Sequence, residues 1–170
     1  LNSIRLAYAQ AAGNLADAGK KEEAGKLIDK LESGIIPENL PYAMVSRYGS
    51  HNQQGMLYLE ACYKAGKKEL AEKVRQSLRK DMEQQRRYYI AMNKGNTPDI
   101  TPAGADNNDP MFRSMLMEYR INEAMLIVLD ELEKRYAPET RAVKNNTENP
   151  TPTVTNTAKP DSGAKKDTTK

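Results

Sequence analysis

Apolar residues recur at intervals of three and four from the first residues to about Tyr136, and nowhere alternate for long with polar ones. That spacing marks amphipathic helices with one buried face, so an all-α chain is expected. A first helix is expected from about Ser3 to Asp17, with Ile4, Tyr8, Ala11, Ala12 and Leu15 inward and Ser3 as N-cap. Gly19 suits the left-handed backbone that closes a helix, and the pattern resumes from Lys21 to Glu32 with Ala24, Leu27, Ile28 and Leu31 inward. Ser33 and Gly34 stop it. Pro37 and Pro41 make residues 35–41 a connector, while Tyr42 to Ser50 is ambiguous between loop and a short turn. A third helix is expected from about Asn52 to Ala65, carrying Met56, Leu59, Cys62 and Tyr63 and closed by Gly66. The fourth runs from Lys68 to Met92 with Ala71, Val74, Leu78, Met82, Gln85 and Tyr89 inward, long enough to outreach its partner. Asn93 to Asp109, 17 residues rich in Gly, Pro, Asn and Asp, should be an exposed loop. Asp109-Pro110 then offers an N-cap followed by proline at the first helical position. The fifth helix runs to about Tyr136 with Met111, Met115, Tyr119, Asn122, Leu126, Leu129 and Leu132 inward, and Pro138 ends it.

The turn sequence AGKKEEA at Ala18 to Ala24 recurs as AGKKELA at Ala65 to Ala71, a displacement of 47 residues (71 minus 24). Each copy joins two expected helices. Around the first, Tyr8, Ala12, Leu15, Gly19, Ala24, Ile28 and Leu31 stand at spacings that resemble a tetratricopeptide unit. Around the second the match is looser, with Leu59, Cys62, Gly66, Ala71 and Leu78 in place but Arg75 where Ile28 predicts an apolar residue. The expectation is a set of tetratricopeptide-like helical hairpins, about five helices in all, stacked right-handed with a shallow concave face. A plain five-helix bundle that uses one turn sequence twice is the alternative.

Composition divides the chain into a helical repeat domain over residues 1–137 and a Thr-, Pro- and Lys-rich tail over residues 138–170. From Asn145 onward Val154 is the only large aliphatic residue and seven of 26 residues are Thr, too little apolar surface to offset chain entropy. The tail is expected to be disordered. Asp167-Thr168-Thr169 and Asn145-Asn146-Thr147 offer glycan-acceptor patterns there, and a frayed terminus is the simpler account.

The 26 Lys and Arg nearly balance 23 Asp and Glu, for a net charge of +3, so composition demands no polyanionic partner. No uninterrupted apolar stretch approaches the roughly 20 residues of a membrane-spanning helix. The helical pattern is already running at Leu1, without Met or a leader-like block, and reads as a piece of something longer. One cysteine, Cys62, allows neither an internal disulfide nor a cysteine-based zinc cage and is expected as a small buried residue. His51 is the sole histidine and no phosphate-binding glycine loop is present. Glu22, Glu23, Glu69 and Glu72 fall in first turns of helices, where they complement the helix dipole. No catalytic residue, cofactor or metal is therefore expected.

An interaction surface is expected from Arg75, Arg79, Arg86, Tyr88 and Tyr89 on the fourth helix, with Tyr42 and Tyr48 on the connector. Glu72, Asp81 and Glu83 interleave with those arginines, so a solvated helix face is the simpler reading and nucleic acid is not expected as a partner.

Asn2-Ser3-Ile4-Arg5-Leu6-Ala7, Pro41-Tyr42, Tyr63-Lys64-Ala65-Gly66 and the late RRYYIAM resemble the soluble C-terminal region of a large family of bacterial multi-pass membrane proteins without an assigned activity. Those proteins are similar in their membrane part to protein O-mannosyltransferases. The resemblance covers about residues 2–136 and implies a membrane-embedded catalytic part before Leu1, holding the acidic catalytic residue. It also implies an extracytoplasmic, periplasmic position at the cell membrane. The function it suggests is a noncatalytic helical-repeat module that binds a protein partner or its own membrane domain. The alternatives are an accessory domain that binds sugar or acceptor peptide, and an anion or nucleic-acid binder using the basic helix.

Overall fold

The computed structural model describes residues 2–99 and 109–138. The described residues contain five helices and a 3-10 turn: α1 (Asn2–Asp17), α2 (Lys21–Ser33), the turn at Arg47–Gly49, α3 (Ser50–Lys64), α4 (Lys68–Met92) and α5 (Pro110–Tyr136). Residues 100–108 of the expected loop, the tail from residue 139 and both acceptor patterns lie outside them. No described helix is long and apolar enough to cross a membrane.

The two copies of the turn sequence close their helices with the same backbone bonds. In the first, Lys20 N donates to Leu15 O at 2.9 Å and Gly19 N to Ala16 O at 3.0 Å. In the second, Lys67 N donates to Cys62 O at 2.9 Å and Gly66 N to Tyr63 O at 3.0 Å. This is the Schellman pairing, and it requires a left-handed residue, supplied by Gly19 at φ 81° and Gly66 at φ 75°. Each turn reverses the chain, so α1 pairs with α2 and α3 with α4. Asp17 and Lys64, equivalent in the 47-residue offset, meet at 3.0 Å where α1 and α3 end together.

Packing centres on α3, which touches α1, α2, α4, α5 and the 3-10 turn. It meets α1 across small residues: α1 buries Arg5, Ala9, Ala12 and Ala16. The inward face of α1 is thus turned from the expected one, leaving Ile4 and Ala11 exposed and Tyr8 and Leu15 at its margins. Alanines let the two helices approach closely, which a face built on Ile4 and Tyr8 would prevent. Ser3 lies within α1 rather than capping it. On α4 all six expected residues are buried, together with Arg75. At 25 residues α4 runs well past the 15 of α3. The overhang is covered by α5, where Asn122 Nδ2 donates to Met82 O at 3.0 Å and Tyr119 meets Tyr89 edge-on at 6.1 Å. Asp109 caps α5 through Met111 N at 2.9 Å, with Pro110 in the first turn. Met111, expected inward, is exposed in the first turn of α5, ahead of the first buried residue of that helix, Leu116.

Candidate interaction surface

Residues 35–46 cross from α2 toward α3 without regular structure, and buried polar side chains hold them in place. Arg5, 2% exposed, donates to Leu40 O at 2.5 Å and Pro41 O at 2.6 Å. His51 Nε2 reaches the same Pro41 oxygen at 2.9 Å. Further along, Met44 N donates to Asn52 Oδ1 at 3.0 Å, and Asn52 Nδ2 donates to Asp81 Oδ2 at 2.7 Å. Gln85 Nε2 donates to that same Asp81 oxygen at 2.6 Å. Buried carbonyls and amides left without partners are costly, so these bonds let an irregular segment lie against the core. The backbone packs tightly too: a Cβ on Gly55 would stand 2.7 Å from Tyr42 O.

Tyr42 and Tyr58 stack at 6.4 Å beside the Arg5 guanidinium and donate to the two oxygens of Glu32, at 2.5 Å and 2.7 Å. Burial, reinforced by the Glu32 carboxylate, raises both phenol pKa values. Burial also works against the Arg5 charge and lowers its pKa, with Tyr58 and Glu32 opposing. These groups therefore clamp the connector. Tyr42, expected at an interaction surface, is half-buried in the clamp.

Arg75, Arg79 and Arg86 do not form an open basic strip. Arg75 donates to Glu133 on α5 at 2.7 Å and to Glu72, with a side chain only 5% exposed. The hydrogen bonds to Glu72 and Glu133 outweigh desolvation and raise its pKa. Arg79 pairs with Asp130 and Glu133, and Arg86 with Glu123 at 3.0 Å. Burial opposes the charge on Arg79, but these carboxylates raise its pKa. The solvated-face reading fails for Arg75 because α5 supplies the buried Glu133 carboxylate opposite it.

What reaches solvent lies along another line of α4. Asp81, Tyr88 and Met92 fall on one side of the helix at steps of seven and four residues, and Asp81 is the group that Asn52 ties to Met44. On the connector, Met44 is tied to Asp81 through Asn52, and Met44, Val45, Tyr48, Tyr88 and Met92 are all exposed, Val45 by 63% and Tyr88 by 58%. Tyr48 N donates to Glu118 Oε1 on α5 at 3.1 Å, and Arg47 stacks on the Tyr48 ring at 4.9 Å. Tyr48 has φ 56°, a left-handed backbone unusual for a tyrosine, followed by Gly49 at φ 62° packed on Met125. Tyr89 is buried, edge-on to Tyr88 at 5.5 Å.

Of the expected surface residues, Tyr48, Tyr88 and the Glu123-paired Arg86 reach solvent, Tyr89 is buried edge-on to Tyr88, and Tyr42, Arg75 and Arg79 are buried or half-buried. Arg5, Glu32, Asn52, Asp81 and Glu133 are the positioning residues that sequence reasoning missed. One signal for two of them was present: Arg5 and Asn52 stand 47 residues apart, at equivalent inward positions of α1 and α3. Among the described residues no group of three or more His, Cys, Asp or Glu is placed to hold a metal ion. The hollow between α1 and α3, lined by Ala9, Gly13, Leu57 and Ala61, holds about 160 Å3, and a shallow groove at the second turn, lined by Asp29, Lys67, Glu69 and Lys73, holds about 510 Å3. Compared with protein-family models, with curated proteins and with solved structures, the chain matches none of them.

Proposed function

We propose that this chain is a noncatalytic helical-repeat module of the tetratricopeptide-like kind that binds another protein through the Met44, Val45, Tyr48, Tyr88 and Met92 patch. We further propose that it forms the extramembrane, extracytoplasmic C-terminal part of a membrane glycosyltransferase. The observation that carries the binding role is that Met44, Val45 and Tyr48 stand exposed on a connector held by buried Arg5, His51 and Asn52. Tyr and Met enriched on a preorganised surface suit protein recognition, since little entropy is lost when the partner docks. The placement at a membrane enzyme rests on the sequence resemblance, whose Arg5 and Pro41-Tyr42 elements meet in the connector clamp.

The test of binding is affinity capture by the full chain, compared with a Val45→Ser, Tyr88→Ser double variant whose helix content is checked by circular dichroism. A partner recovered by the parent and lost by the variant supports the reading, and equal recovery removes the patch from it. For the membrane side, Cys62 is buried and cannot report, so Met111→Cys in the intact gene product is the label site. Labelling by an impermeant thiol reagent in whole cells supports an extracytoplasmic module. Labelling only after lysis overturns that placement.

A further inference from the structure

The outward face of α5 carries Met117, Ile121, Ala124 and Val128, with Ile127 beside them. Met117, Val128 and Ile127 are exposed, Ile127 by 64%, and Ala124 is exposed between them. Ile121 is half-buried against the 3-10 turn. Within this stretch of outward positions Arg120 is the only charged residue. An apolar stripe of this kind on a helix surface calls for a covering element.

We propose that a second copy of this chain covers it, α5 packing antiparallel on the partner's α5. The steps from Met117 to Ile121, Ala124 and Val128 are four, three and four, which read the same in both directions. A two-fold axis between residues 122 and 123 sets Met117 opposite the partner's Val128, and Ile121 opposite the partner's Ala124, large against small. The stripe ends in opposite charges: the exposed Arg113 precedes it and the exposed Glu131 follows it. Antiparallel pairing sets each Arg113 near the partner's Glu131, whereas parallel pairing would set like charges together. Lys134 already pairs with Glu131 inside α5, an exposed contact that a second donor can share. From Met117 to Val128 the stripe is about 17 Å long, at about 1.5 Å per residue. One helix pair of that length buries less than a standard interface, so the dimer is weak and reversible.

The test is sedimentation equilibrium of the full chain from about 10 μM to about 1 mM, set against Ala124→Glu, whose outward position leaves the fold intact. A monomer–dimer equilibrium weakened at least about tenfold by A124E is expected. A parent chain monomeric throughout, or a dimer indifferent to A124E, overturns the proposal. The register is read by oxidising Met117→Cys and Val128→Cys chains separately and as a mixture, with Cys62 buried and silent. Disulfide dimers confined to the mixture are expected, because like sites lie about 17 Å apart along the antiparallel pair. Dimers formed by either variant alone, or by no sample, overturn the antiparallel arrangement.

Discussion

Arg75 on α4 occupies the position equivalent to Ile28 on α2, 47 residues earlier, and both are buried, by an arginine in one hairpin and an isoleucine in the other. The difference lies in the neighbour. The second hairpin faces α5, whose Glu133 accepts from Arg75 at 2.7 Å with its side chain 8% exposed. Without Glu133, Arg75 keeps its bonds to Glu72 but loses the buried carboxylate opposite it, at a cost of about 2 kcal/mol. Glu133→Leu should therefore destabilise by about that amount in urea denaturation, and the double variant Arg75→Met, Glu133→Leu should recover most of it. A double variant no more stable than Glu133→Leu would show that the pair is not the source of the loss.

The connector clamp predicts a local effect. Arg5→Met removes two charge-assisted bonds, to Leu40 O and Pro41 O, and should cost about 2–3 kcal/mol. Its signature is faster amide exchange over residues 38–46 with the α4–α5 seam unchanged, read by hydrogen exchange. Uniform loss of protection would mean that Arg5 supports the whole core rather than the connector.

The pH dependence follows from Cys62. Burial pushes its thiol up to about 12, from an ordinary value of 9.0. Above pH 9 the unfolded chain releases that proton while the folded chain keeps it, so stability falls as pH rises from about 9 toward about 12. Tyr58, raised from 10.0 chiefly by burial, adds to the fall above pH 10. By pH 11 the thiol alone should remove roughly 3 kcal/mol. Cys62→Ala lowers stability at neutral pH by leaving a small cavity, but should delay the alkaline decline by about one pH unit in denaturation series.

The two turns predict matched costs. A Cβ at Gly19 or Gly66 meets nothing within 4 Å, so alanine there carries backbone strain alone, about 1 kcal/mol at each site. Gly55→Ala differs in kind, because its Cβ would stand 2.7 Å from Tyr42 O and 2.9 Å from Leu78 Cδ2, and should cost about 2–3 kcal/mol. Thermal or urea unfolding of the three variants gives the comparison, and unequal costs at Gly19 and Gly66 would contradict the shared turn geometry.

The sequence by itself determined the helices, most of their ends and the two turns. Each depends on residues close together in the chain: the three-and-four spacing on α4, Asp109-Pro110 at the start of α5, the glycines at positions 19 and 66. The left-handed glycines were legible because few other residues adopt that backbone without strain.

Only the tertiary structure decided which polar residues are inside. Arg75 and a solvated arginine look alike in sequence: Glu72, three residues earlier, would pair with either, while the buried acceptor Glu133 lies 58 positions away on another helix. The same holds for Arg5, whose acceptors are carbonyls 35 and 36 residues on. Burial of a charge or amide depends on a partner that local spacing does not reveal, and so does exposure of Tyr48 and Tyr88 once Arg5, Asn52 and α5 have set the connector in place.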